Sequence, residues 1–200
     1  MTHSTWNWFD VLPDWNWKSF EGNPLNVSAY SSCDEVELLL NEWSLGRKPT
    51  NRSTEFKTNW DVPYQAGTLK AVGYTNGIKV NEAQIQTAGK PANIVLTPDR
   101  KEINANGQDL SYVVVELQDK VGIPYPKSGL QLNFSIQGAG TIVGVGNADP
   151  VSVESYTSPQ RKTWKGKCLV IIKAGKYPGN ITLTAKGQSL PAQQITIVCK

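Results

Sequence analysis

Apolar and polar residues alternate in short runs along most of this chain, the period-two pattern of strands half buried against a core. In the first half the runs are NVSAYSS (Asn26 to Ser32), VELLL (Val36 to Leu40), STEFKTNW (Ser53 to Trp60), TLKAVGY (Thr68 to Tyr74) and IKVNEAQIQT (Ile78 to Thr87). Turn residues separate them. The Asn76-Gly77 pair predicts a type I′ hairpin, because both residues tolerate positive φ. After the linker-like Ala88 to Ala92, a second set follows: NIVLT, DLSYVVVELQD, LQLNFSIQ, TIVGV, KCLVIIKA, NITLTAK and QQITIVC. Short strands with turns every 8–12 residues or so suit an immunoglobulin-like sandwich. The first set, shorter by a strand or two, predicts another. No convincing helix longer than two turns appears. The expected fold is all-β, with two tandem immunoglobulin-like β-sandwich domains: residues 1–88, with a tryptophan-rich lead-in, and residues 89–200.

One stretch, DEVELLLNEWSLG (Asp34 to Gly46), carries two patterns. Val36, Leu39, Leu40 and Trp43 have helical spacing, whereas Val36, Leu38 and Leu40 alternate as on a strand that turns at Asn41-Glu42. The surrounding strands favour a hairpin, which leaves Leu39 on the solvent side.

The 200 residues carry a formal charge of +3, and no apolar run is long enough to span a membrane. The densest basic group, Arg161, Lys162, Lys165 and Lys167 around Trp164, fits strands with outward lysines, and no nucleic-acid motif accompanies it. No basic region followed by an apolar stretch opens the chain, so no signal peptide is expected. MTHSTWNWFDVLPDWNW reads as a piece of something longer. Cys33, Cys168 and Cys199 give no disulfide framework or zinc spacing. Buried thiols are expected, with one Cys168–Cys199 bridge left open.

His3 is the only histidine. A Ser-His-Asp triad, a Cys-His pair and a histidine-rich metal site are therefore excluded. No phosphate-binding glycine loop occurs, and the glycines of GAGTIVGVG lie between strand runs. Asp99, Asn104, Asn106, Asp109, Asp119, Asn147 and Asp149 fit no EF-hand spacing and read as turn chemistry. No metal and no cofactor are expected. Asn26, Asn51, Asn133 and Asn180 begin N-x-S/T, a chance occurrence where they fall within strands.

Glycoside hydrolysis needs two carboxyl groups roughly 5–10 Å apart, one with a raised pKa. Glu35, Glu37, Glu42, Glu55, Glu116 and Glu154 qualify by type alone, and no pattern pairs them, so no catalytic residue is assigned. The tryptophans stand out more. Trp6, Trp8, Trp15 and Trp17 crowd the first 17 residues, and Trp43, Trp60 and Trp164 follow. Exposed indoles stack on sugar faces, but aromatics near a chain start also anchor an interface. Trp6, Trp8, Trp15, Trp17 and Trp43 are the candidate sugar or interface contacts.

LPDWNW, NVSAYSSCDEVELLLNEWSLGRK, FKTNWDVPYQAGTLKAVGYTNGIKV and TAG together resemble the module after the catalytic barrel in bacterial glycoside hydrolase family 2 β-galactosidases. LTPDRKEINANGQDLSYVVVELQDKVGIPYP, FSIQGAGTIVGVGNADP and KCLVIIKA resemble the last domain of the same enzymes, and are also similar to Ig-like repeats of invasin-type adhesins. The resemblance implies a multidomain exo-glycosidase whose two catalytic glutamates lie in an upstream (β/α)8 barrel. This chain lacks the strand–helix alternation of such a barrel.

The resemblance carries over structure only. It places Trp15 and Trp17 on a lead-in strand, Glu37 and Asn41 in a hairpin, Trp60, Pro63 and Gly67 around a turn, and Gly144 to Pro150 in a loop. Asp14 stands where the family usually has histidine. Asn41-Glu42-Trp43 replaces its Asn-Gly-Lys, so a glutamate takes a position that favours positive φ. The implied role is that of non-catalytic accessory domains packing on the catalytic domain of the same polypeptide and aiding engagement of an oligo- or polysaccharide. The implied location is periplasmic or extracellular. The alternatives are an independent carbohydrate-binding module and the Ig-like stalk of an adhesin.

Overall fold

Fifteen short strands and one 3₁₀ turn form the regular structure of the described residues, 11–127 and 129–200, in the computed structural model. The chain divides into two compact units between Thr87 and Ala88. Both are sandwiches in which nearly all strand pairs are antiparallel, so the all-β expectation holds.

In the first unit, β1 (Pro24–Tyr30) pairs with β4 (Lys57–Pro63) as a two-stranded sheet. Facing it is a four-stranded sheet in the order β3 (Trp43–Pro49), β2 (Glu35–Leu40), β5 (Thr68–Thr75), β6 (Ile78–Gln86). Strand alternation decides what is inside: Val36, Leu38 and Leu40 of β2 turn inward with Leu69, Trp60 and Val62 to form one core. Glu35, Glu37 and Leu39 occupy the other face of β2, half-buried. The expected strand at Ser53–Trp60 starts later. Asn51 caps a 3₁₀ turn (Arg52–Thr54), and Glu55 and Phe56 follow with positive φ, so pairing begins at Lys57.

DEVELLLNEWSLG is the β2–β3 hairpin. Asn41 and Glu42 have φ of 50° and 68°, and Leu40 pairs with Trp43 across the turn. Asn41 also ties the turn to its neighbour: its Oδ1 accepts from Thr68 N–H at 2.8 Å and its Nδ2 donates to the Ala66 carbonyl at 3.2 Å. Gly67 is required there, because a Cβ would collide with that amide. Glu42 has no such excuse for its backbone, since a left-handed L-residue costs about 1–2 kcal/mol. Its ion pair to Lys70 at 2.8 Å is exposed on the glutamate side and returns at most about 1 kcal/mol. Glu42→Gly is therefore expected to stabilise the first unit by about 0.5–1 kcal/mol in urea melts; a loss would show that the ion pair outweighs the backbone strain.

The second unit packs two sheets. One has the order β12 (Gln160–Lys162), β10 (Gln131–Gly138), β14 (Gly179–Gly187), β15 (Gln193–Cys199), β8 (Glu102–Ile103), with only β15 and β8 parallel. The other runs β11 (Gly140–Gly146), β13 (Lys167–Ala174), β9 (Leu110–Gln118), β7 (Asn93–Pro98). Val113, Val115, Leu117, Val170, Ile172, Leu132, Ile181, Leu183 and Ile197 fill the space between them. β11 carries Gly144 and Gly146 within the strand, so the loop expected from Gly144 starts only at Asn147. Cys33, Cys168 and Cys199 are free and buried, which closes the open alternative of a Cys168–Cys199 bridge. Loss of solvent pushes the Cys168 thiol up to about 12, so it is inert at neutral pH.

Asp119 fastens the start of this unit. Its Oδ2 accepts from Gly89 N–H at 2.8 Å, and its Oδ1 accepts from Val121 at 3.0 Å and Ile123 at 2.9 Å. Burial alone raises this carboxyl, but the donors from Gly89, Ile123, Val121 and Gly122 outweigh it and hold it below the usual 3.8. A depressed folded pKa stabilises above the unfolded value and is lost as pH falls through the folded one. Asp119→Asn should cost about 1–3 kcal/mol at pH 7. It should also remove part of the stability loss that the native chain shows on acidification below about pH 4. Denaturant melts of both proteins at pH 7 and pH 3 give the comparison; parallel pH dependences would exclude Asp119 as a contributor.

Candidate functional site

A two-stranded sheet cannot cover a four-stranded one, because strands lie only about 4.8 Å apart. In the first unit this mismatch leaves an apolar cleft of about 470 Å³ over β5 and β6, beside β1. Val11, Leu12, Trp17, Val27, Tyr30 and Ile85 are among its walls. Val11, Leu12 and Tyr30 remain substantially exposed, as does Phe20 nearby. The segment carrying Val11 to Trp17 covers part of the gap without strand pairing, so the lead-in strand expected for Trp15 and Trp17 is not one.

The five candidate tryptophans fall into different environments. Trp6 and Trp8 lie outside the described residues. Trp15 is 2 % exposed and is a core residue. Its Nε1 donates to Gln65 O at 3.0 Å, its ring meets Tyr64 edge-on at 5.1 Å, and its carbonyl accepts from Thr87 Oγ1 at 2.5 Å. No face of that ring is available to a sugar. Trp17 is half-buried in the cleft wall, with Nε1 donating to Asp14 O at 3.2 Å and its ring edge-on to Phe20. Trp43, at 80 % exposure, stands at the β2–β3 tip opposite Leu40, whereas Lys70, the partner of Glu42, lies opposite Leu39 on the other face of the sheet. Trp43 is not one of the residues that line the cleft.

Of the candidate carboxylates, Glu35, Glu37, Glu42, Glu116 and Glu154 are engaged in ion pairs. Glu37 accepts from Ser44 Oγ at 2.6 Å and Tyr74 OH at 2.8 Å, with Arg47 stacked on the Tyr74 ring. The Ser44 and Tyr74 donors hold its carboxyl below the ordinary range, the reverse of what a general acid needs. Glu116 pairs with Lys167 at 2.8 Å and belongs to the other unit. Among the described residues, no three His, Cys, Asp or Glu side chains converge as a metal site would require.

Sequence reasoning missed Arg161, which it grouped with surface lysines. The side chain is 1 % exposed, facing into the second unit from β12. Its Nη1 donates to Glu154 O at 3.2 Å and Ser152 Oγ at 3.4 Å, and its Nη2 to Ser155 O at 3.1 Å and to Val145 O. It thereby ties residues 152–155 of the connection between β11 and β12 to the sheet. Nothing in Gln160-Arg161-Lys162 signals this, since the same tripeptide suits a solvated edge.

Two sandwiches, each with its own apolar core, define the chain as a tandem Ig-like β-sandwich protein. Residues 94–196 match the family described as glycoside hydrolase family 2 C-terminal domain 5, and residues 22–81 match a domain of unknown function, DUF4982. The chain belongs to glycoside hydrolase family 2, as part of its C-terminal region. It is 40 % identical over 181 residues to the β-galactosidase BoGH2A of Bacteroides ovatus, covering 90 % of this chain and 21 % of that protein. A crystal structure of a glycosyl hydrolase family 2 member from Bacteroides cellulosilyticus superposes with a TM-score of 0.95 at 43 % identity, covering 98 % of this chain and 26 % of that one. A β-glycosidase from Bacteroides vulgatus gives 0.87 at 31 %, over 94 % and 24 %. The chain thus spans about a fifth to a quarter of the length of these three relatives. No helix among the described residues is long and apolar enough to cross a membrane.

Proposed function

We propose that this region is a non-catalytic accessory part of a larger glycosidase resembling a β-galactosidase, which docks on the remainder of that polypeptide and carries no hydrolytic site of its own. The observation that carries the reading is the apolar cleft of the first unit, flanked by exposed Val11, Leu12, Phe20 and Tyr30. Clustered exposed apolar groups of this kind mark contact surfaces. The short share of its relatives' length supports a partner within the same chain. By likeness to those relatives, the parent acts on a β-galactoside or a related glycoside, in the periplasm or outside the cell.

The test is Leu12→Glu in the parent polypeptide and in the 200-residue chain. Docking predicts a drop of several degrees, about 2–4 °C, in the parent's thermal midpoint for each kcal/mol of lost contact, with little change in the chain alone. Equal shifts in both would sink the docking reading. Hydrolysis of an aryl β-galactoside by the isolated chain would sink the non-catalytic one.

A second reading rests on Trp43. An indole 80 % exposed at a hairpin tip offers a stacking face for a sugar. Glycan binding there predicts a saturable change in tryptophan fluorescence with oligosaccharide, absent in Trp43→Ala. An unchanged titration in that variant would move any sugar contact elsewhere.

A further inference from the structure

Residues 150–154, Pro-Val-Ser-Val-Glu, are built inside out. Ser152 and Glu154 are the half-buried members, turned toward Arg161, while Val151 and Val153 face away at 80 % and 99 % exposure. An extended segment lying on a solvated protein surface shows the opposite alternation, polar outward and apolar inward. The segment is also held in shape. Besides the four acceptors gathered by Arg161, Asn147 Nδ2 donates to Lys162 O at 2.7 Å, and Lys162 N–H donates to the Glu154 carboxylate at 3.2 Å. Val151 N–H donates to the Asp149 carboxylate at 3.1 Å. Tyr156 belongs to the Arg161 side of the loop: its ring lies against Gly146, with the Arg161 guanidinium 4.9 Å from its centre.

A loop that only connected β11 to β12 would need neither a buried guanidinium nor outward valines. Fixing a segment before contact lowers the entropy lost on binding, as expected of a preorganised interface element. The methyl groups of Val151 and Val153 neither stack on sugars nor hydrogen-bond to them, so they fit an apolar protein recess better than a glycan.

We propose that residues 150–154 form a docking ridge whose Val151 and Val153 seat in an apolar recess of the parent polypeptide outside these 200 residues. The occupant follows from length. Relatives matched over 90 % and 98 % of this chain devote only 21 % and 26 % of their own length to it, so the nearest large protein surface is their own remaining chain. This rests on the docking reading above and assigns that contact a second surface, on the second unit.

The test introduces single cysteines, Val153→Cys on the ridge and Leu12→Cys at the cleft, into both the 200-residue chain and the parent polypeptide. The three native thiols of the 200-residue chain are buried and form a slow background there, and the unsubstituted parent gives the background for the longer protein. Alkylation by iodoacetamide is timed in each protein and in urea. Seating of the ridge predicts that the Val153→Cys variant reacts in the short chain at close to its rate in urea, and at least tenfold more slowly in the parent. If the position 12 variant is protected in the parent while the position 153 variant reacts freely, the ridge proposal fails and the docking reading stands. If neither is protected, both fail. Protection of the position 153 variant in the short chain, growing with its concentration, would assign the ridge to a second copy and overturn the proposal.

Discussion

Replacing Arg161 by alanine will cost the second unit about 3–5 kcal/mol, the loss expected when one member of a buried charged network is removed. The side chain is large and almost wholly enclosed, so its removal leaves a cavity as well as orphaned acceptors. The carbonyls of Val145, Glu154 and Ser155 lose their donors, and Glu154 loses the cation 3.9 Å from its carboxylate. Two observables separate this from general weakening. Calorimetry should show the transition of one unit moving down while the other stays, because the two cores are separate. Proteolysis should cut the variant within 147–159 before global unfolding, since the bonds tying that segment to β11 and β12 are gone. Arg161→Lys should fall between, because an ammonium group cannot span acceptors set out for a planar fork. A stability within about 0.5 kcal/mol of the native chain for Arg161→Ala would overturn this account.

Trp15→Ala should be the most damaging substitution in the first unit, at about 3–5 kcal/mol. The ring closes the part of the core that the two-stranded sheet leaves uncovered, beneath the lead-in segment and against Tyr64. The indole N–H bond to Gln65 is lost with it. Because the parent would then be destabilised where it docks, reduced activity of Trp15→Ala in the parent must not be taken as loss of a sugar contact. Trp15→Phe separates the two: it should restore most of the stability while lacking the indole donor. Trp43→Ala, by contrast, should leave the unfolding midpoint of the chain nearly unchanged, as an exposed tip residue does. A large loss at Trp43 and a small one at Trp15 would reverse the assignments.

These cases show where local sequence carries information. Asn41-Glu42 was legible as a turn because an asparagine that tolerates positive φ sits between two alternating runs, and both requirements are local. Asn76-Gly77 was legible for the same reason. The start of β4 was not, because Ser53 to Phe56 has strand composition while Asn51 captures the Ser53 N–H and, through Thr54, closes a 3₁₀ turn instead. Arg161 was opaque for a different reason. Its environment is made by Val145, Ser152, Glu154 and Ser155, which reach it only when β11 and β12 are placed in separate sheets. The outward valines of Pro-Val-Ser-Val-Glu were equally mute, since an alternating run states a period and not which phase faces the core.

The sequence by itself determined the alternating period of most of the strands and the turns set by asparagine and glycine. Each depends on backbone geometry or residue type within a few positions. The tertiary structure alone decided that Trp15 is core and Trp43 surface, that a cleft opens where two strands face four, and that a lone arginine among lysines is the most enclosed charge in its unit. Burial is a property of what packs against a residue, and those neighbours lie many positions away along the chain.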